Sequence, residues 1–215
     1  MNEVRLYQNY IFCFFSRNRE HKFSSLNCAF NRGDSEAIVK KNRNFTSNYL
    51  NKNKIILTNQ VHSNIVSYVD RNFSKEISSD AMITNRKDIL LGILTADCAP
   101  IIVLGKKYFG IIHAGWKGLI NGIIENTIMK FKSLGETENH LNVFVGPHLS
   151  MDSFEVKQDF VDNIKKKIKN YDNFIESKRQ KKFFNFSGLM ESKLIDLKIT
   201  NYDISKENTY TNPEK

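Results

Sequence analysis

The chain of 215 residues has few cysteines. Cys13, Cys28 and Cys98 are the only three, and no two form a CxxC pair. An odd count without paired spacing argues against a disulfide scaffold and fits a reducing compartment. Proline (3) and glycine (10) are also sparse, which excludes collagen-like and proline-rich classes. Long hydrophobic runs are missing. The N-terminal apolar stretch covers only residues 10–15, shorter than a signal peptide requires. The most apolar stretch, residues 89–105, carries Asp97 near its middle and is too short to cross a bilayer. These absences predict a cytoplasmic protein with no membrane partner. Neither an internal repeat nor a linker interrupts the chain, so a single domain over residues 1–215 is expected.

Apolar residues make up 40% of the chain and charged residues 26%, a globular composition. Lys+Arg (32) exceed Asp+Glu (23), giving a formal charge of +9. Such an excess attracts anions, including phosphate and nucleotides. Lysine far outnumbers arginine, and asparagine and isoleucine are abundant, so the excess reads as a compositional bias spread over the surface. No nucleic-acid partner is expected.

Short apolar runs at residues 10–16, 55–58, 64–69, 81–84, 90–95, 101–104, 108–113 and 142–145 read as strands. Gly105-Lys106-Lys107 reads as a hairpin turn. Residues 16–33 are polar and read as loop. A helix is predicted over residues 34–49, with Asp34 or Ser35 as N-cap and Ile38, Val39, Phe45 and Tyr49 inward. Leu119, Ile120, Ile123, Ile124, Ile128 and Phe131 share one face of a helix over residues 117–132, closed by Gly135. Residues 160–168 and 189–199 read as amphipathic helices on either side of the basic segment 178–182. The sum is an α+β domain with a mixed or antiparallel sheet flanked by helices.

Reactive residue types fall in three segments: Asn59-Gln60-Val61-His62, Thr95-Ala96-Asp97-Cys98-Ala99-Pro100 and His113-Ala114-Gly115-Trp116-Lys117-Gly118. A carboxylate inside an apolar run is costly unless paired or used, which singles out Asp97. The start of the helix after His113, with Lys117, suits an anion. His62, Cys98 and His113 form a sound ligand set for zinc with one position left open. Zinc there would activate a water or polarise a substrate oxygen. Singly, each residue also has a purely structural reading. A strand-end cysteine packs as a small hydrophobe, a histidine before a turn lies at the surface, Asp97 caps backbone amides and Trp116 packs in the core. Cys98 as a nucleophile with His113 as its base, in a hydrolase or amidase, stays open beside zinc.

The strings NQVHS, DAMIT, TADCAP, HAGWKG and VGPHLS followed by FEV, in this order, resemble the YfiH-like family. That family carries the labels multicopper polyphenol oxidase, laccase and peptidoglycan editing factor. It is also associated with zinc-dependent purine nucleoside phosphorylase and adenosine deaminase activity. The resemblance spans residues 12–196 and implies a layered α/β/β/α sandwich with its site in a surface cleft. It implies zinc ligands at His62, Cys98 and His113, a catalytic role for Asp97 beside Cys98, and substrate or phosphate contacts at Arg43, which follows Asn42, and at Gln60 and Lys117. It implies purine nucleoside and phosphate as partners. Departures are visible. Lys117 replaces the usual arginine, which keeps the charge and loses bidentate geometry. His148 replaces a cysteine and is expected at the surface or leaning toward the metal. A glycine-rich loop is shortened around residues 17–23. The family's C-terminal Phe-Ser-Tyr-Arg segment is missing, which admits a non-catalytic binding member.

Overall fold

The computed structural model describes residues 3–16, 26–30, 32–52, 54–73 and 77–211. In chain order the elements are β1 (Glu3–Tyr7), β2 (Tyr10–Phe14), α1 (Glu36–Tyr49), β3 (Ile55–Ile56), β4 (Val66–Tyr68), β5 (Ala81–Thr84), β6 (Leu90–Leu91), β7 (Ala99–Leu104) and β8 (Phe109–Ala114). They continue with α2 (Trp116–Ile120), α3 (Ile123–Ser133), β9 (Asn142–Val145), β10 (Glu155–Val156), α4 (Gln158–Lys165), β11 (Ile175–Lys178), β12 (Lys181–Phe184), α5 (Phe186–Asp196) and β13 (Asn201–Ile204).

A six-stranded sheet in the order β13-β9-β7-β8-β5-β4 organises the fold. Its outer pairs, β13 with β9 and β4 with β5, are parallel, and the inner pairs are antiparallel. The fold is thus α+β with a mixed sheet. Both faces are covered, which explains why β5 and β7 read as unbroken apolar runs. Alternate residues serve different layers. Ala81, Ile83, Ile101, Val103 and Ile112 pack against Leu119, Ile123, Ile124, Ile128 and Phe131 of the helical layer. Ile102 and Leu104 pack on the other side with Phe12 of the β1-β2 hairpin, and Met82 with Ile56 and Ile89 near the β3-β6 pair.

The hairpin between β7 and β8 turns at residues 105–108, as its glycine and lysines predict. Glu136, 6% exposed, closes this turn by accepting from the N–H groups of Lys106, Lys107 and Tyr108 at 3.0, 2.7 and 3.1 Å. Burial pushes its pKa up, but the three donors outweigh burial and hold it below the ordinary value.

Several elements differ from the sequence expectation. The helix over residues 117–132 is two helices, because Gly122 adopts φ +89° between α2 and α3. The strand at residues 10–16 ends at Phe14, pairs with β1 and buries only Phe12, since it lies as a ribbon against the sheet. Helix α1 buries Val39, Asn42, Thr46 and Ser47, and leaves Tyr49 exposed. The polar face wins there because Asn42 donates to the carbonyl of Asn27 at 2.6 Å. The run at residues 90–95 is a strand only at Leu90–Leu91, where it pairs with β3. The basic segment 178–182 is a β-hairpin whose turn residues, Arg179 and Gln180, both have positive φ. Most of the expected loop over residues 16–33, including the shortened stretch 17–23, lies outside the described residues. No described helix is long and apolar enough to cross a membrane.

Candidate metal centre

The three expected donors meet at one end of the sheet. His113 comes from β8 and is buried, with 3% exposure. Cys98 precedes β7, the antiparallel partner of β8, and is half-buried. His62 lies in the loop between β3 and β4. The donor atoms of these residues lie within 4.8 Å of one another. Cys98 Sγ is 3.8 Å from His62 Nε2, and the two imidazole centroids are 4.8 Å apart in a T-shaped arrangement. No other cluster of three or more such ligands occurs among the described residues.

Gly115, at the start of α2, is required by this convergence. A Cβ there would stand 2.6 Å from His62 Cδ2 and 3.2 Å from Cys98 Sγ. The Ala-Gly step after His113 therefore leaves room for the other two donors.

The residue that sequence reasoning missed is Asp80. It is fully buried at the start of β5. Its Oδ1 accepts from His113 Nδ1 at 2.8 Å and from the N–H of His62 at 3.0 Å. Its Oδ2 accepts from the N–H groups of Val61 and Ser63 at 3.3 and 2.7 Å, and from Ser63 Oγ at 2.7 Å. Burial raises its pKa, but the bonds from His113 and Ser63 outweigh that and hold it below the usual value. An ionised carboxylate only accepts, so His113 donates Nδ1–H and keeps its lone pair on Nε2. Burial, ahead of the opposing pull of Asp80, lowers the pKa of His113 and keeps the ring neutral. Its signals in the sequence were the aspartate opening the apolar run at Ala81 and its place at the head of the DAMIT string.

Burial, then Asp97 and Asp80, push the Cys98 thiol up to about 11. Asp97 is exposed, lines the groove beside Cys98 and accepts from Thr209 Oγ1 at 2.9 Å. Gln60 also lines the groove, but both ends of its amide are taken by the backbone of Leu94, at 2.8 Å each. Arg43 lines the same groove. Its Nε donates to the carbonyl of Cys28 at 2.8 Å, and its guanidinium lies 4.1 Å from the Phe30 ring centroid. Lys117 is not brought into the groove lining, and its ammonium lies 5.6 Å from the Trp116 ring centroid. His148 corrects the expectation of a surface or metal-facing group. It is buried at 1% exposure between the Gly146 carbonyl and Ser187 Oγ, at 2.8 and 2.7 Å. Burial holds its pKa below the usual value.

The family profile described as multi-copper polyphenol oxidoreductase laccase matches residues 12–215. A purine nucleoside phosphorylase of Rickettsia prowazekii is 30% identical over 99% of this chain and 89% of its own length. One of Aquifex aeolicus is 37% identical over 56% of this chain and 58% of its own length. A protein named adenosine deaminase, from an unknown prokaryotic organism, is 28% identical over 52% of this chain and 47% of its own length. A Neisseria meningitidis protein shares the fold with a TM-score of 0.86 at 22% identity, covering 99% of this chain and 90% of that one. The Bacillus licheniformis protein YfiH does so with a TM-score of 0.82 at 21% identity, covering 93% and 82%. Motif order, fold and matched length agree: this chain belongs to the multi-copper polyphenol oxidoreductase laccase family, in which its YfiH-like relatives are found.

Proposed function

We propose that the protein is a zinc-dependent purine nucleoside phosphorylase with adenosine deaminase activity. The observation that carries this reading is the convergence of His62, Cys98 and His113 within 4.8 Å, in a chain whose relatives bear those two names. One thiolate and two imidazoles suit zinc and leave a fourth position for substrate or water. Phenol oxidation by several coppers, which the family description suggests, requires more ligands than this single cluster among the described residues offers.

Bound zinc supplies a positive charge that orients and polarises the purine or a water molecule. The chain's own groups do the rest. Arg43 spends its Nε on Cys28 and keeps its two amino groups for phosphate. Lys117 adds positive charge at the start of α2. Asp97, exposed on the groove wall, moves the proton that the departing base or ammonia requires. Gln60 acts by joining the His62 and Cys98 loops. A Cys98 nucleophile with His113 as base is disfavoured, because a thiol pushed up to about 11 is the opposite of an activated one.

The test is product analysis by liquid chromatography. Zinc-loaded protein and its Cys98→Ser variant are incubated with adenosine or inosine, with and without phosphate. Phosphate-dependent release of adenine or hypoxanthine by the parent alone supports the phosphorylase. Inosine formed from adenosine without phosphate supports the deaminase. Equal turnover by the variant, or none by the zinc-loaded parent, overturns the reading.

A further inference from the structure

Asp80 touches the imidazole of His113 and the backbone N–H of His62, and it is not part of the groove lining. Every group around its carboxylate is a donor: His113 Nδ1, Ser63 Oγ and the N–H groups of Val61, His62 and Ser63. Its own carbonyl also accepts from the N–H of His113 at 2.7 Å. We propose that Asp80 is a positioning residue that presets both histidines before any metal arrives, fixing the tautomer of His113 and the backbone of His62. This inference rests on the zinc reading above and names the device that builds that site.

The two arms of the carboxylate do different work. Oδ1 takes the Nδ1–H of His113, which leaves the ring's lone pair on Nε2 as what His113 offers to a metal shared with Cys98 and His62. Oδ2 holds the loop at Val61 and Ser63, and Oδ1 shares in holding it through the His62 N–H. His62 sits at φ +58°, a left-handed conformation that residues with a side chain rarely adopt. Three successive N–H groups, from Val61 to Ser63, turn inward onto one anion, the concave arrangement in which backbone amides bind negative charge. The carboxylate thus compensates the strained step at His62 and aims its imidazole at Cys98.

An asparagine at this position is nearly the same size but has one acceptor atom instead of two. Val61 N–H, Ser63 N–H and Ser63 Oγ–H demand an acceptor at Oδ2, so the amide nitrogen falls at Oδ1. There it donates toward His113 Nδ1 and no longer accepts from the His62 N–H. His113 must answer by accepting at Nδ1 and carrying its proton on Nε2, where the metal needs a lone pair.

The experiment uses 15N-labelled, metal-free protein and long-range 1H–15N correlation spectra of the imidazoles, followed by zinc titration against a chelator. Wild type is expected to show His113 protonated on Nδ1. Asp80→Asn is expected to show protonation on Nε2 and to bind zinc about 10- to 100-fold more weakly, as for lost outer-shell partners. Ser63→Ala keeps the carboxylate and is expected to keep the wild-type tautomer. Wild type protonated on Nε2, or Asp80→Asn binding zinc as tightly as wild type, overturns the proposal. Should Asp80→Asn fail to fold, the wild-type spectrum and Ser63→Ala still decide it. No nucleoside enters these measurements. Normal zinc binding without turnover counts against the proposed function and leaves the role of Asp80 standing.

Discussion

The side-chain amide of Gln60 and the backbone of Leu94 exchange two hydrogen bonds, each 2.8 Å long. They bind the loop that carries His62 to the loop that carries Cys98, across a surface where neither loop has regular secondary structure. Removing this clamp should loosen the spacing of two donors without touching either. Gln60→Ala is expected to lower zinc affinity about tenfold, the lower end for lost supporting contacts. Chelator competition checks this, with an unchanged circular dichroism spectrum as control.

Gly115→Ala should be more severe than its single methyl suggests. The added Cβ meets His62 at 2.6 Å and Cys98 at 3.2 Å. The imidazole of His62 must move, and the Sγ of Cys98 must give by a few tenths of an ångström. The variant is expected to fold and to retain less than a tenth of the parent's zinc after dialysis, read by elemental analysis.

Glu136 gives a pH signature away from the site. Its folded pKa lies below its ordinary value, so as the pH falls the unfolded chain takes up the proton first. The stabilisation is complete above the unfolded value of about 4.5 and fades as the pH drops through the folded one. Glu136→Gln leaves part of the buried turn unsatisfied and is expected to cost about 1–3 kcal/mol at neutral pH. The gap between the two proteins should close in acid, as followed by urea denaturation at several pH values.

Phe131 is fully buried between α3 and the sheet. Phe131→Ala is expected to destabilise the fold by about 3–5 kcal/mol. Zinc stoichiometry of the remaining folded protein should stay unchanged, since Phe131 belongs to the helical layer and the donors to the opposite face. Denaturation midpoints and metal content, measured on the same sample, check both halves.

Legibility in the sequence followed burial. Strands β5 and β9 were read residue for residue, because unbroken apolar runs have no other role in a domain of this size. Strands β1 and β13 left no such trace. Their apolar residues alternate with Arg5 or Asp203, whose ion pair joins the two segments only after folding. Apolar spacing ran on past Gly122, so one helix was read where a positive φ makes two. His62, Cys98 and His113 were legible as a ligand set by residue type, but each also has a structural reading, and it was the order of the motifs shared with the YfiH-like family that singled out zinc. The role of Asp80 was not legible, because its partners are mostly backbone N–H groups, which every sequence contains. Gln60 was singled out for substrate, yet its partners are also backbone.

The placement of His113 inside β8 has a kinetic consequence. It pairs across from Pro100, and side chains alternate between faces along the strand. A slip of one residue between β7 and β8 would rotate His113 into the helical layer and bring Ile112 to the donors. Zinc would then find two ligands instead of three. With zinc bound as proposed, metal capture would act as a proofreader of strand alignment: chains that close the hairpin wrongly would hold the ion poorly, and those that close it correctly would be withdrawn from the exchanging pool.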